Sequence, residues 1–340
     1  MKKVLKIAGI SVGVILLLIV ILLLILFIKN KIQEKKPWLP DDYFNSFKTD
    51  SPLEQKYALR GSYETAHTEY KSDNKSIKTI HVYYPKELEN NDKTYPLIMT
   101  VNGSNTRALN YLPFFDRLAS WGFIVVGTDD PQAGSGETTS IALGYILNLG
   151  SSDVLSGKVN KEQIGITGYS QGGAGALSAS QKYGNSSLYK AIFTGSAAYP
   201  YLAKNMGWEY DINKITIPYF MTAATGESDD RGLDDINSEF GGVAPLKSLI
   251  EIYDAIPEDV TKIRARVTGA EHGEMQMKTD AYMTAWFLWQ LAVMRKQQRS
   301  LSVMMRKYYI TRIGRMLRKM IKCILKEAQI THSELSLFRQ

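Results

Sequence analysis

The sequence predicts an α/β protein, a mostly parallel sheet with helices on both faces, preceded by one apolar helix long enough to span a bilayer. Three observations lead there. From about residue 77 onward, short apolar runs alternate with helical stretches and turn signals. Residues 163–179 read as a strand, a glycine-rich turn around a serine, and a helix start of small residues. Residues 7–28 carry no charged side chain, and a bilayer core asks for about 20 apolar residues of helix.

The first predicted strand, residues 76–85, alternates polar and apolar side chains with period two. Residues 95–103 form a continuous apolar run that ends in a turn at Asn102-Gly103, as a strand buried on both faces does. Residues 110–121 read as a helix with Leu112, Phe115, Leu118 and Ala119 on one face. A second buried strand follows at 122–128, and a helix at 138–149. The strand 163–167 leads into the serine turn. Further strands are expected at 190–195, 217–224 and 262–267, and a last helix at 280–294. Strands alternating with helices in this way build parallel βαβ units.

The net charge of +7 is unevenly distributed. Seven lysines against one glutamate flank the first apolar run, and twelve Lys/Arg against two glutamates lie in residues 295–340. The middle of the chain is therefore acidic, which argues against nucleic acid as its partner. The single cysteine, Cys323, excludes an intramolecular disulfide and any cysteine metal cluster, and the four histidines are not at metal-ligand spacing. No small-residue cleavage site follows residues 7–28, so the run reads as an uncleaved signal-anchor, with the domain behind it expected outside the cell. The predicted organisation is a short tail (1–6), a transmembrane anchor (7–28), a polar stalk (29–60), a catalytic domain (61–294) and a basic C-terminal tail (295–340).

Gly168-Tyr169-Ser170-Gln171-Gly172 has the form G-x-S-x-G between a strand and a helix. That is the context of a nucleophile elbow, in which a tight turn with small neighbours exposes a serine at the sheet edge. An activated serine needs a base and a carboxylate that orients the base. His272, in the loop after the last strand, is the expected base. His332 lies in the basic tail, and His67 and His81 precede the elbow. The carboxylate is expected just past residues 217–224, in Thr225-Gly226-Glu227-Ser228-Asp229-Asp230. Asp229 is the first candidate, Asp230 the second, and Glu227 and Asp234 come behind them. Two backbone N–H groups should face the developing oxyanion, those of Gln171 and of Ser104, with Asn105 as the alternative to Ser104.

These motifs carry a resemblance. Residues 96–103, the stretch Arg117-Leu118-Ala119-Ser120-Trp121-Gly122-Phe123, and residues 165–173 resemble the α/β-hydrolase branch of chlorophyllases, bacterial cutinase-like polyester hydrolases and dienelactone-hydrolase-like esterases. The resemblance covers roughly residues 75–292. It implies an α/β-hydrolase fold and a carboxylic-ester hydrolase with no metal or organic cofactor. It also assigns Ser170, Asp229 and His272 to the triad, and Ser104 and Gln171 to the oxyanion amides. Residues 230–243 are a departure, because the compact polyester hydrolases lack such a stretch. Tyr169, Tyr199 and Tyr201 could line an acyl pocket or pack in the core.

The expected partners are a small-molecule or lipid-like ester substrate and, through the anchor, a membrane. The same fold also carries acyltransferases and peptidases, and an inactive copy could serve as a surface binding protein. The tail does not continue the resemblance. It has a basic amphipathic pattern at Ile310, Ile313, Leu317, Met320 and Ile321. Codons can also be assigned to residues 292–319 so that the neighbouring frame spells an acidic helix, and a frameshifted C-terminus is the expectation carried forward.

Overall fold

The computed structural model describes residues 2–33, 44, 49–232 and 234–291. The basic tail, with His332 and Cys323, lies outside the described residues, as does most of the expected stalk. Helix α1 runs Lys2–Gln33, and its described side chains, Val14 to Lys29, are all exposed. The side chains of residues 7–13 lie outside the described part, and among the described residues no helix is long and apolar enough to cross a membrane.

After α2 (Pro52–Tyr57) the chain lays down β1 (Thr65–Lys71), β2 (Thr79–Pro85), β3 (Tyr95–Val101), α3 (Leu112–Ala119), β4 (Ile124–Thr128) and α4 (Glu137–Leu147). It continues with β5 (Val159–Tyr169), α5 (Gln171–Lys182), β6 (Tyr189–Gly195), α6 (Pro200–Asn205), β7 (Tyr219–Ala224), α7 (Leu246–Ala255), β8 (Lys262–Val267) and α8 (Met275–Gln290). The sheet has eight strands in the order β1-β2-β4-β3-β5-β6-β7-β8. β1, β2 and β4 pair antiparallel, and β4-β3-β5-β6-β7-β8 pair parallel. This mostly parallel sheet with helices fits the α/β-hydrolase fold.

Period-two alternation divides the apolar strands between two cores. Leu97, Met99 and Val101 face one side with Ile124, Val126, Ile164 and Ile166, where α4, α5 and α7 cover them. Ile98, Val125, Phe193, Phe220 and Ile263 face the other, under α2, α3 and α8. Continuous apolar runs were the right signal, because each central strand is buried on both faces.

The differences from the sequence reading are local. β1 was not expected; its burial alternates around Tyr70 and it forms the sheet edge. The last helix starts at Met275, five residues earlier than expected. A short 3-10 turn at His272–Glu274 leads directly into it, closed by the Glu271 N–H donating to the Glu274 carboxylate at 2.9 Å. The end of the expected polar stalk is also different. Leu53 and Tyr57 of α2 are buried against the α8 side, so residues 49–60 pack on the domain.

Arg117 organises that packing. Its side chain is fully buried, with the guanidinium above the rings of Phe44 at 4.8 Å and Phe114 at 5.9 Å. Nη1 donates to the Tyr57 carbonyl at 2.6 Å, and Nη2 donates to the Asp280 carboxylate. One cation thus ties α2, α3 and α8 together. Its neighbours continue the seam. Ser120 Oγ accepts from the Gly61 N–H at 2.8 Å, and the Trp121 indole N–H donates to the Leu59 carbonyl at 2.9 Å.

A buried charge that loses its partner is costly, about 3–5 kcal/mol. Asp280→Asn keeps the shape but leaves the guanidinium uncompensated, and should lower unfolding free energy by about that amount in urea titration. Breaking the half-exposed Arg60–Asp116 pair with Arg60→Gln should change it by about 1 kcal/mol or less.

Candidate active site

The strand order 4-3-5 reverses direction of winding at β3 and β5. In open parallel sheets the crevice beyond the carboxyl ends of such neighbours is where ligands bind. Val101 pairs with Gly168 there, so the loop after β3 and the turn after β5 emerge side by side. Ser170 lies in that turn with φ 58° and ψ −124°, a conformation rarely adopted by a residue with a side chain. The strain is held from both sides. The Ser170 N–H donates to the Gly195 carbonyl at 3.0 Å, and its own carbonyl accepts from Gly173 at 2.9 Å. Glycine is required two positions to either side of it. A Cβ on Gly168 would collide with the Gly172 carbonyl, and one on Gly172 with the Val101 carbonyl.

His272 opens the 3-10 turn between β8 and α8. Its Nε2 lies 2.9 Å from Ser170 Oγ, and its Nδ1 lies 2.6 Å from Asp229 Oδ1. Asp229 is fully buried, whereas the His272 side chain is 20% exposed and reachable. A carboxylate accepts, so Nδ1 carries the proton and Nε2 is left to accept from the serine hydroxyl. The second carboxylate oxygen accepts from the Ala224 N–H at 2.7 Å and from Ser196 Oγ.

Ser196 was not singled out in the sequence. It directly follows β6, the strand next to β7, and only the strand order reveals that this end borders Asp229. The other acidic candidates point elsewhere. Asp230 pairs with Arg266 at 2.8 Å, and Glu227 and Asp234 are exposed. His67 stacks on Tyr83, and His81 lies between Glu69 and Asp129 on the far side of the sheet edge. Among the described residues no three His, Cys, Asp or Glu side chains converge as a metal set.

The stretch from residue 230 to 243 has its ends closed on each other beside Asp229. Val243 N–H donates to the Ser228 carbonyl, Ala244 N–H to the Asp229 carbonyl, and Arg231 N–H to the Gly241 carbonyl, each at 3.0 Å. Gly242, at φ 98°, lies where a Cβ would strike the Asp229 carbonyl. Tyr199 and Tyr201 hold the stretch from outside, through hydroxyls that donate to the Glu239 and Ser238 carbonyls. These two tyrosines are therefore scaffolding for that loop.

Among the described residues the backbone N–H groups of Ser104 and Gln171 make no hydrogen bond to the backbone. The expected alternative, Asn105, has its N–H occupied by the Pro131 carbonyl at 2.9 Å. Two side chains fix this region. Asn102 Nδ2 donates to the carbonyls of Thr128 and Asp130, each at 2.7 Å. The buried Gln171 amide, oriented to satisfy all its neighbours, donates to Ser104 Oγ at 3.2 Å and accepts from Ala133 N–H at 2.9 Å. The loop after β3 is thereby locked to the first turn of α5. Behind Tyr169 lies a small, mostly apolar cavity walled by Tyr111, Phe114, Phe193 and Met283. Burial pushes the Tyr111 phenol up to about 12. Burial and the Asp229 charge raise the Tyr169 phenol well above the tyrosine range.

A family model described as PET hydrolase-like (PETase) matches residues 49–229, more than half of the chain. No curated protein matches it. The matched stretch contains the loop after β3, the serine turn and the buried acid, and it begins where α2 starts to pack on the domain. The chain belongs to the PET hydrolase-like family, and it is an ester-cleaving hydrolase.

Proposed function

We propose that this hydrolase cleaves carboxylic esters by covalent catalysis, with Ser170 as nucleophile, His272 as general base and Asp229 as the group that orients and charge-stabilises the imidazole. The relay from Ser170 Oγ through His272 to the buried Asp229, at 2.9 and 2.6 Å, carries this reading. His272 Nε2 takes the hydroxyl proton as Ser170 attacks the ester carbonyl. The oxyanion of the tetrahedral intermediate is held by the N–H groups of Gln171 and Ser104. Collapse expels the alcohol, protonated by His272, and leaves an acyl-enzyme. Water then gives its proton to Nε2, attacks the acyl carbon and releases the acid, which regenerates Ser170. The substrate is a small-molecule or lipid-like ester. The apolar helix α1 anchors the chain in the cell membrane as a single pass, with the catalytic domain outside. The uncharged run of 22 residues and the exposed side chains of Val14 to Ile28 support this placement.

Full-length protein in detergent should hydrolyse a short-chain nitrophenyl ester and react with a fluorophosphonate probe, and Ser170→Ala should lose both. Turnover at the parent rate in Ser170→Ala would overturn the assignment. Asp229→Asn should lower kcat by roughly 10⁴-fold, the cost of a misoriented imidazole in such triads, while Asp230→Asn stays within a few-fold of the parent. Deletion of residues 1–33 should move the protein from carbonate-washed membranes to the soluble fraction with its esterase activity intact.

A further inference from the structure

We propose that Tyr169 is a positioning residue for His272, so that the strand presenting the nucleophile also fixes the base. The inference rests on the triad reading above. His272 sits in a turn between Gly269, at φ 73°, and Gly273, around which there is open space. Its ring is held by Asp229, but a ring hydrogen bond does not fix the backbone that carries it. The His272 carbonyl accepts from two donors, the Met275 N–H that closes the 3-10 turn and the Tyr169 hydroxyl. The second comes from another part of the fold, since Tyr169 is the last residue of β5 and the immediate neighbour of Ser170.

The ring of Tyr169 adds a second contact, with its centroid 4.8 Å from that of the imidazole at an interplanar angle of 34°. Its own place is set by a slot between two glycines. A Cβ on Gly103 would lie 3.3 Å from Cδ1, and one on Gly195 would lie 3.5 Å from Cδ2. The phenol is thus fixed by the ends of β3, β5 and β6 together. Burial keeps it protonated at any working pH, so it stays a donor. The distance from serine to base is in this way referred to the sheet, and the loop after β8 adjusts to it.

Tyr169→Phe removes the hydroxyl and keeps the ring in its slot. In the full-length protein it should lower kcat roughly tenfold, about what one hydrogen bond can supply, with KM within twofold of the parent. Labelling of Ser170 by a small fluorophosphonate should slow by the same factor. The downfield proton resonance of His272 Nδ1–H, observed without substrate, should broaden or disappear. Unchanged labelling and an unchanged resonance would overturn the inference, and so would a rise in KM at constant kcat, which marks a wall of the substrate pocket. Ser170→Ala separates the two claims. If it is inactive while Tyr169→Phe matches the parent, only the positioning role falls. If Ser170→Ala is active, the triad itself falls.

Discussion

The close contact between the first turn of α5 and the end of β3 is the constraint on which the rest of the molecule depends. Gly172 lies against the Val101 carbonyl with no room for a side chain. That contact is possible only because β3 and β5 are neighbours in the sheet, an order imposed by chain winding. It brings the N–H groups at the start of α5 beside the loop after β3, and it forces Ser170 into a positive-φ conformation. A strained residue of this kind costs of order 1–3 kcal/mol and persists only where its surroundings over-determine it. Here they do so through glycines at 168 and 172, backbone hydrogen bonds from β6 and α5, and the buried Gln171 amide.

Much of this was legible in the sequence because the governing physics is local. The serine turn needs small residues at fixed offsets, and Gly168, Gly172 and Gly173 supply them. Strands buried on both faces are apolar through most of their length, which made 95–103 and 122–128 readable as strands; the structure trims them to Tyr95–Val101 and Ile124–Thr128. His272 was picked out because, of the four histidines, only it and His332 follow Ser170 and only it lies in the loop after the last strand. The choice between Asp229 and Asp230 is not local. Asp229 faces Ala224 and Ser196, and Asp230 faces Arg266. Both sit in a turn after β7 and donate their N–H groups to the Gly226 carbonyl, and which one meets the histidine depends on that turn and on the return of the chain at Ala244. Ser196 was invisible for the same reason, since its partner is 33 residues away in the loop after the next strand.

The packing around Arg117 shows how a stretch that looks characteristic in a sequence acquires its physical meaning. The residues from Arg117 to Trp121 do no chemistry. They fasten the segment from Tyr57 to Gly61 to α3, and Asp280 on α8 completes the arrangement. α8 begins immediately after the turn that carries His272, so the same seam braces the helix behind that histidine. Residues 49–60, which read as polar linker, are polar mainly on the side that faces water.

The closed ends of the stretch after Asp229 have an evolutionary consequence. A loop whose two feet are paired to each other adds little strain when it lengthens, because closure entropy grows only slowly with length. The bonds from Val243 to Ser228 and from Ala244 to Asp229 therefore uncouple what happens beyond them from the buried Asp229 carboxylate. Changes of length beyond those bonds can be absorbed there while Asp229 and His272 stay in contact. The segment is thus a part of the surface free to vary in length without moving the buried carboxylate beneath it.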